Sequence, residues 1–193
     1  MNNKVTSIKG INLPKTKLGM AKMNKLADAA EELFATVGFY NTSIVDICRK
    51  ANTAVGTFYI YFETKIDVYR FLIEKYKNDI KRRLDEAISA FTNSIERRRE
   101  GIRFFVKYIT NSPTAYDIIW GSIAVDRDMF FDCFTSFADS YVTKLFGDDE
   151  SASVMSYSMM GISNLLGLKA IFEKMSDEDI DKMIDEVLFS KLV

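Results

Sequence analysis

Five consecutive small residues, Thr53-Ala54-Val55-Gly56-Thr57, form the part of this 193-residue sequence best suited to hold a phosphate. None of them is acidic, and their small side chains let the backbone approach an anion closely. If the run opens a helix, unpaired N–H groups and the positive end of the helix dipole face that anion. The run therefore indicates contact with a polyanion.

Three helical patterns position this run. Apolar residues recur at helical spacing over residues 21–37, and Gly38 follows where a helix would end. A second, short helix begins at Ser43, which forms a Ser-x-x-Asp capping box with Asp46, and a third is predicted over residues 55–61. Three helices in about 42 residues, the last two joined by a turn of about four, are typical of a helix-turn-helix, whose third helix enters the major groove of DNA.

The run Ala-Asn-Thr-Ala-Val-Gly-Thr-Phe-Tyr-Ile-Tyr-Phe at residues 51–62, followed by Lys65, resembles the signature of the tetracycline-repressor (TetR) family. A Gly-Phe pair that ends the first helix and an Asn-Thr-Ser run before the second agree with it, and the match covers residues 21–70. The resemblance implies an all-α fold of about nine helices. In that fold an N-terminal three-helix helix-turn-helix domain binds DNA, and a C-terminal helical domain binds a ligand and dimerises.

The resemblance also implies which residues contact DNA. Thr42 or Ser43, at the start of the second helix, would bind a phosphate, and Tyr59 and Tyr61 would reach phosphates through their hydroxyls. Lys65 would approach the DNA backbone as a point charge. The full set of DNA-binding candidates is Thr42, Ser43, Thr53, Ala54, Val55, Gly56, Thr57, Tyr59, Ile60, Tyr61 and Lys65.

The turn departs from the usual family pattern at three positions. Asn52, Thr53 and Ala54 stand where Gly, Val and Ser are usual. The missing serine removes an N-cap worth about 1 kcal/mol from the third helix, unless Thr53 takes over the cap. Val55 and Ile60 stand where polar base-reading residues are common, and they can touch only thymine methyls or the sugar edge.

Charge is distributed unevenly, although the net charge is −1. Residues 1–70 hold ten Lys/Arg and six Asp/Glu, net +4, whereas residues 71–193 hold sixteen and twenty-one, net −5. A basic front favours contact with nucleic acid there. Residues 1–20 carry no acid and no steady apolar period, which predicts a basic flexible arm. The arm either lies along the DNA backbone or minor groove or stays solvated.

The predicted domains are therefore the arm at 1–20, the helix-turn-helix domain at 21–66 and a helical ligand-binding and dimerisation domain at 67–193. A fourth helix of about 30 residues follows the capping box of Thr64 and Asp67, with apolar positions recurring as far as Ile95. Pattern and capping signals place the remaining helices near 97–111, 113–124, 127–146, 150–174 and 177–190.

The family resemblance implies a ligand cavity inside this third segment, and its many aromatic residues favour an apolar or aromatic small molecule. The candidate ligand-binding residues are Tyr108, Tyr116, Trp120, Phe134, Tyr157 and Asn164. Residues 151–168 carry no charge, which predicts a helix buried on most faces. The resemblance implies that the helices near 150–174 and 177–190 pair with their copies in a homodimer, which would read a pseudo-palindromic operator.

Histidine is absent, which excludes Ser-His-Asp and Cys-His catalysis and histidine-bound metal. Cys48 and Cys133 lie far apart and form no Cys-x-x-Cys pair. No spaced set of carboxylates, lysines or tyrosines indicates another active site, so neither an enzyme nor a cofactor nor a metal is expected. No signal-peptide pattern opens the sequence, and the uncharged stretch is too polar to span a membrane, so a cytoplasmic protein is expected.

These patterns, with the family resemblance, predict a sequence-specific transcriptional regulator. The expected mode is repression, with release from the operator when a small apolar or aromatic ligand binds. Two alternatives stay open: a ligand-independent or architectural DNA-binding protein, and an activator in place of a repressor.

Overall fold

A computed structural model describes residues 9–141, 144–145 and 152–189. These residues confirm the expected all-α fold. Their nine helices are α1 (Lys17–Thr36), α2 (Ile44–Lys50), α3 (Val55–Tyr61), α4 (Lys65–Ile88), α5 (Ser94–Asn111), α6 (Pro113–Val125), α7 (Arg127–Tyr141), α8 (Ala152–Glu173) and α9 (Asp177–Phe189).

The largest differences from the sequence-based expectation are at the start of α1 and around the end of α4, where α5 begins at Ser94 and not near residue 97. Helix α1 begins at Lys17, because the side chain of Thr16 accepts a hydrogen bond from the N–H of Gly19 and caps it. The expected arm through residue 20 is thus too long. Helix α4 ends at Ile88 and not near Ile95, because the Asn93 side chain caps α5 by accepting from the N–H groups of Ile95 and Glu96. The apolar period continues across that break, since α5 has an apolar face of its own.

The chain divides into two compact units, whose boundaries differ from the expected one at residue 66. The first unit combines the chain through Tyr76 with Asp117–Met129, and the second combines Lys77–Tyr116 with the chain from Phe130 onward. The unit that contains the predicted helix-turn-helix therefore also includes the start of α4 and the C-terminal part of α6.

The first unit is built around side chains that α1, α2 and α3 bury together, among them the fully buried Leu26, Ile47 and Phe58. Two tyrosine hydroxyls attach α6 to this core. The hydroxyl of Tyr69 donates to the carbonyl oxygen of Ile118 at 2.5 Å, and that of Tyr40 donates to the carbonyl oxygen of Ala124 at 2.5 Å. Burial raises the pKa of Tyr69, so this hydroxyl keeps its proton and stays a donor.

The second unit is built around the contact of α5 with α8 and α9. Helices α5 and α8 approach closely at Gly167, where an added Cβ would lie 2.7 Å from Ile109 Cδ1. The small buried residues Ser156 and Ser163 line the same side of α8. Their hydroxyls donate to the carbonyl oxygens of Ala152 and Met159, four residues earlier, so neither serine buries an unpaired donor.

The expectation that α8 is buried on most faces is only half confirmed. One side is buried as described, but Val154, Leu165 and Phe172 are 70%, 69% and 82% exposed. No helix among the described residues is both long enough and apolar enough to cross a membrane.

Three ion pairs join α5 to α9. Arg99 donates to both carboxylate oxygens of Asp185, Arg103 Nε donates to Asp181 Oδ1 at 2.7 Å, and Lys107 pairs with Asp177. The three cations lie four residues apart along α5, and the three acids lie four residues apart along α9, so the two helices run antiparallel with the pairs in register.

We expect the Asp185 pair to stabilise the protein only above acidic pH. Hydrogen bonds from Arg99 hold the pKa of Asp185 below its usual value of 3.8. A carboxyl group with a lower pKa in the folded state contributes stability above its unfolded pKa and loses it as the pH falls through the folded value. Asp185→Asn should therefore lower the urea midpoint at neutral pH, and the difference from wild type should narrow toward about pH 3. Glu186→Gln, a change at the adjacent exposed carboxylate, controls for net charge, and a difference independent of pH would contradict the prediction.

Candidate nucleic-acid interface

Helix α2 begins at Ser43 with the predicted capping box. The Ser43 side chain accepts from the N–H of Asp46 at 3.1 Å, and the Asp46 carboxylate accepts from the N–H of Ser43 at 3.1 Å. The hydrogen bonds from the side chain and backbone of Ser43 lower the pKa of Asp46, so the carboxylate remains charged at the helix start. Ser43 is exposed, but its hydroxyl donates to the Asp46 carboxylate at 2.5 Å, so the capping box already uses the hydrogen that a phosphate would accept.

The turn between α2 and α3 is tight, and Asn52 adopts a left-handed conformation with φ 49°. The N–H of Thr53 closes the turn by donating to the carbonyl oxygen of Cys48 at 2.9 Å. Ala54 is the N-cap residue of α3, in extended conformation, and no side chain caps the helix. Thr53 therefore does not take over the cap, and α3 begins without a side-chain cap.

We expect Ala54→Ser to stabilise the first unit by about 1 kcal/mol, because serine at an extended N-cap position accepts a hydrogen bond from the first helical turn. The φ of −72° and ψ of 148° at Ala54 already suit that role, so no backbone change is needed. Urea unfolding measures the gain. Ala54→Val, which adds volume without an acceptor, is the control. Equal stability of the serine and valine variants would show that the cap does not form.

Helix α3 has one buried and one exposed side. Phe58 and Tyr61 point inward, at 0% and 6% exposure, whereas Val55, Tyr59 and Ile60 are 39%, 56% and 56% exposed. Gly56 and Ala54 are also exposed, and Thr57 is half-buried. The outward side is thus small, apolar and hydroxylic, and it carries no charge.

Three predicted DNA contacts lie elsewhere than expected. Thr42 is 3% exposed, and its hydroxyl donates to the carbonyl oxygen of Gly38 at 2.8 Å, so it stabilises the turn after α1. The Lys65 ammonium donates to the carbonyl oxygens of Phe39 and Thr42 at 2.6 and 2.7 Å. Desolvation lowers its pKa, and it lies 4.3 Å from the centre of the Phe39 ring. Tyr61, as noted, is buried. All three side chains therefore serve the hydrogen bonding and packing of the first unit.

Residues 10–12 pair with the end of α3, a contact that sequence reasoning missed. The N–H of Asn12 donates to the carbonyl oxygen of Tyr61 at 2.8 Å, and the N–H of Glu63 donates to that of Gly10 at 3.0 Å. The Asn12 side chain donates from Nδ2 to the carbonyl oxygen of Ile60 at 3.0 Å. We call this set of three hydrogen bonds the arm pairing. The only signal in the sequence is Gly10, whose φ of 80° favours glycine.

Asp67 lies under the arm pairing and is 5% exposed. Its carboxylate accepts from the N–H and the hydroxyl of Thr64 at 2.8 and 2.6 Å and pairs with Arg70 at 2.8 Å. A Cβ at Gly10 would lie 2.5 Å from Asp67 Oδ1. The start of α4, the arm and the end of α3 therefore meet at one buried carboxylate.

The six predicted ligand-binding residues do not share one unit. Trp120 belongs to the first unit, and the other five belong to the second. Tyr108 is buried with Arg83 over its ring, Phe134 stacks on Phe130 at 4.5 Å, and Tyr157 is 45% exposed. Tyr116 is half-buried at the start of α6. Asn164 Oδ1 is buried and has no hydrogen-bond partner among the described residues, which leaves it available to a ligand.

A cavity of about 570 Å³ lies elsewhere in the second unit, between α5, α8 and α9. None of the six predicted residues lines it. Its wall is mostly aliphatic and thioether-rich, with one phenylalanine, one serine and one arginine, and consists of Ile95, Arg98, Ile102, Met155, Ser158, Met159, Ile162, Val187, Leu188 and Phe189. The spacing of apolar residues in the sequence does not predict this cavity, because its lining comes from three separate helices.

Sequence comparison finds a family in the first unit. Residues 26–70 match the family described as bacterial regulatory proteins, tetR family. The HTH-type transcriptional regulator HbdR of Aromatoleum sp. (strain CIB) is 28% identical over 81 residues, which are 42% of this chain and 35% of that protein. The chain thus aligns with about a third of that relative's length.

Comparison of folds covers nearly the whole chain. The fatty acid degradation regulator FadR from Bacillus halodurans is similar with a TM-score of 0.75 and 16% identity, over 93% of this chain and 98% of that one. FadR from Bacillus subtilis, solved in complex with stearoyl-CoA, has a TM-score of 0.73 and 16% identity, over 88% of this chain and 99% of that one. At such identities these likenesses show a shared fold.

Proposed function

We propose that this chain, whose residues 26–70 match the tetR family of bacterial regulatory proteins, binds operator DNA as a homodimer and releases it when a small aliphatic anion binds. Repression of a nearby promoter is the regulatory mode proposed.

The outward side of α3 is the observation that supports DNA binding most directly. Tyr59 and Ile60 are each 56% exposed although the helix is only seven residues long and its inner side is buried. Exposed apolar atoms on a helix without acidic residues fit thymine methyls in the major groove, and a tyrosine hydroxyl can donate to a phosphate.

The exposed side of α8 supports the homodimer. Val154, Leu165 and Phe172 are separated by eleven and seven residues, which puts all three on one side of the helix. Large apolar side chains exposed in a row indicate an interface. A second copy of the chain, packed on this side through α8 and α9, would bury them and set the distance between two recognition helices.

The cavity between α5, α8 and α9 supports the class of effector. Arg98 is the one charged residue of its lining, and the rest is apolar apart from Ser158. A molecule with an aliphatic chain and an acidic head group matches this arrangement, and about 570 Å³ suits a small ligand. FadR of Bacillus subtilis was solved with stearoyl-CoA, a larger ligand that also joins an aliphatic chain to an anionic group. The six residues predicted from the sequence, Asn164 foremost, are the alternative location.

Contacts of α6 within the first unit suggest how binding would be transmitted. Tyr40 and Tyr69 donate to carbonyl oxygens of α6, and Arg70 lies 3.7 Å from the Asp126 carboxylate at its end. A displacement of α6 would therefore displace α4 and the segment before α2 with it. In the dimer, such a displacement would change the spacing of the recognition helices. The coupling must be reciprocal, so operator DNA must weaken effector binding by the same factor.

Selection of genomic fragments by the purified protein tests DNA binding. The fragments are sequenced after selection at low and at high salt. Enrichment of one short inverted repeat supports a dimeric, specific regulator. Uniform binding that disappears at high salt would contradict it, since only the electrostatic attraction to phosphates would then be present. Tyr59→Ala should weaken binding to the selected repeat. Phe131→Ala, which removes an exposed ring from the second unit, is its control.

Titration with dodecanoate, followed by the fluorescence of the single tryptophan Trp120, tests the effector class. Affinity should fall when operator is present, and dodecanol, which lacks the charge, should bind more weakly than dodecanoate. Arg98→Met keeps the apolar wall and should remove that preference. Equal dodecanoate affinity with and without operator would overturn the proposed release mechanism.

A further inference from the structure

The arm pairing supplies hydrogen-bond donors to the last carbonyl groups of α3. The last carbonyl groups of any helix have no partner within it, and a seven-residue helix is marginal by itself. The carbonyl oxygens of Ile60 and Tyr61 accept from the side chain and the N–H of Asn12. Since α3 also starts without a side-chain cap, residues 10–12 provide its main hydrogen-bonded support from outside the helix-turn-helix.

The position of the arm is narrowly determined. Gly10 has a φ of 80°, which other residues rarely adopt, and an added Cβ would meet the Asp67 carboxylate at 2.5 Å. Asp67 has no room to withdraw, because it is buried and holds Thr64 and Arg70. The backbone of the arm at Gly10 is therefore held in one position beside the end of α3.

Lys9 is brought to the recognition helix by this pairing. It is exposed and directly precedes Gly10, whose carbonyl oxygen is bonded to the N–H of Glu63 just after α3. Lys15 and Lys17 are exposed on the same segment, and no acidic residue occurs before Asp28. The arm thus carries Lys9 to the end of α3, beside the exposed Tyr59 and Ile60 and next to the one acidic neighbour described there, Glu63.

We propose that residues 9–12 are a second DNA-contacting element, in which the arm pairing fixes the end of the recognition helix and Lys9 neutralises a phosphate beside it. This inference rests on the proposed DNA binding and adds a contact outside the helix-turn-helix. The pairing makes the contact part of one surface with α3, so Lys9 is delivered to the DNA at a set distance from Tyr59.

The salt dependence of binding to a duplex tests the Lys9 contact. Each phosphate neutralised contributes about 0.9 to the slope of log K against log salt, so Lys9→Gln should lower the slope by about 0.9 per bound protomer. At about 0.15 M salt this amounts to roughly fivefold weaker binding per protomer. Lys75→Gln, on α4 of the same unit and paired with Asp28, should change neither value. An unchanged slope for Lys9→Gln overturns the inference, whether or not the duplex contains an operator.

Hydrogen exchange without DNA tests the arm pairing separately. The N–H of Glu63 should be protected in the wild type and should exchange faster in Gly10→Ala, which should also bind a selected operator at least about tenfold more weakly. Gly38→Ala is the control, because Gly38 has a φ of 89° but nothing within 4 Å of an added Cβ. An unprotected Glu63 in the wild type, or wild-type operator affinity in Gly10→Ala, overturns the inference. A wild type that selects no fragment would refute the proposed regulator and leave the exchange result standing.

Discussion

Replacing Asp67 with alanine should lower the free energy of unfolding by about 3 kcal/mol, because it leaves the cap of α4 and the Arg70 guanidinium without their shared acceptor. The carboxylate accepts three hydrogen bonds, from Thr64 N, Thr64 Oγ1 and Arg70 Nη1. Its side chain is only 6% exposed, so water cannot replace them. Urea unfolding measures the loss. Operator binding should fall as well, since Gly10 of the arm, which bonds to the end of α3 through the arm pairing, packs against this carboxylate.

The chain contains a matched control for this prediction. Ser43, Asp46 and Arg49 on α2 repeat the spacing of Thr64, Asp67 and Arg70. In both, the carboxylate accepts from the N–H and the hydroxyl of the residue three before it and pairs with the arginine three after it. The Asp46 side chain is 37% exposed, however, and solvent can satisfy the groups that it leaves. Asp46→Ala should therefore cost clearly less than Asp67→Ala. Equal losses would show that burial does not set the strength of this motif.

Replacing Phe58 with alanine should cost about 4 kcal/mol, the usual loss for a fully buried phenylalanine. Phe58 is 0% exposed, and its ring lies 5.6 Å from that of Phe62 at the end of the same helix. It anchors the inner side of α3 without facing DNA. The variant should therefore lose operator binding through loss of the positioned helix, and its unfolding midpoint should fall in parallel.

Two further variants separate cavity formation from other effects. Phe58→Leu leaves a smaller void and should lose roughly half as much stability, whereas Phe131→Ala on the 63% exposed surface should stay within about 0.5 kcal/mol of wild type. A Phe58→Ala variant with wild-type stability would mean that α3 is held by its hydrogen bonds alone.

Local signals predicted the helices well because each acts over a few residues. The boxes at Ser43 and Thr64 placed the starts of α2 and α4, and the apolar period of 21–37 placed α1. The same reasoning extended α4 past Ile88, because a period of three to four residues continues through the loop that Asn93 ends. At this point the Asn93 cap, one residue before α5, is a better guide to the helix boundary than the apolar period.

Whether a polar side chain faces solvent or bonds within the fold was harder to predict. Thr42 and Lys65 have the residue types of phosphate contacts, yet both bond to carbonyl oxygens at the end of α1 and the start of α2. Those partners are 4 to 26 residues away in sequence. The arm pairing joins residues 48 apart through Asn12 and Ile60. Three hydrogen bonds over such a distance leave no period or motif in the sequence.

The two cysteines give each unit a built-in chemical reporter. Cys48 lies in the first unit and Cys133 in the second, and each is 1% exposed. Burial raises the pKa of the Cys48 thiol, so an alkylating reagent reacts with it only when that unit opens. The rates at which the two thiols are alkylated in one sample therefore measure the opening of the DNA-binding segment and of the rest of the chain separately, in the unlabelled native protein. Adding DNA should slow the first rate.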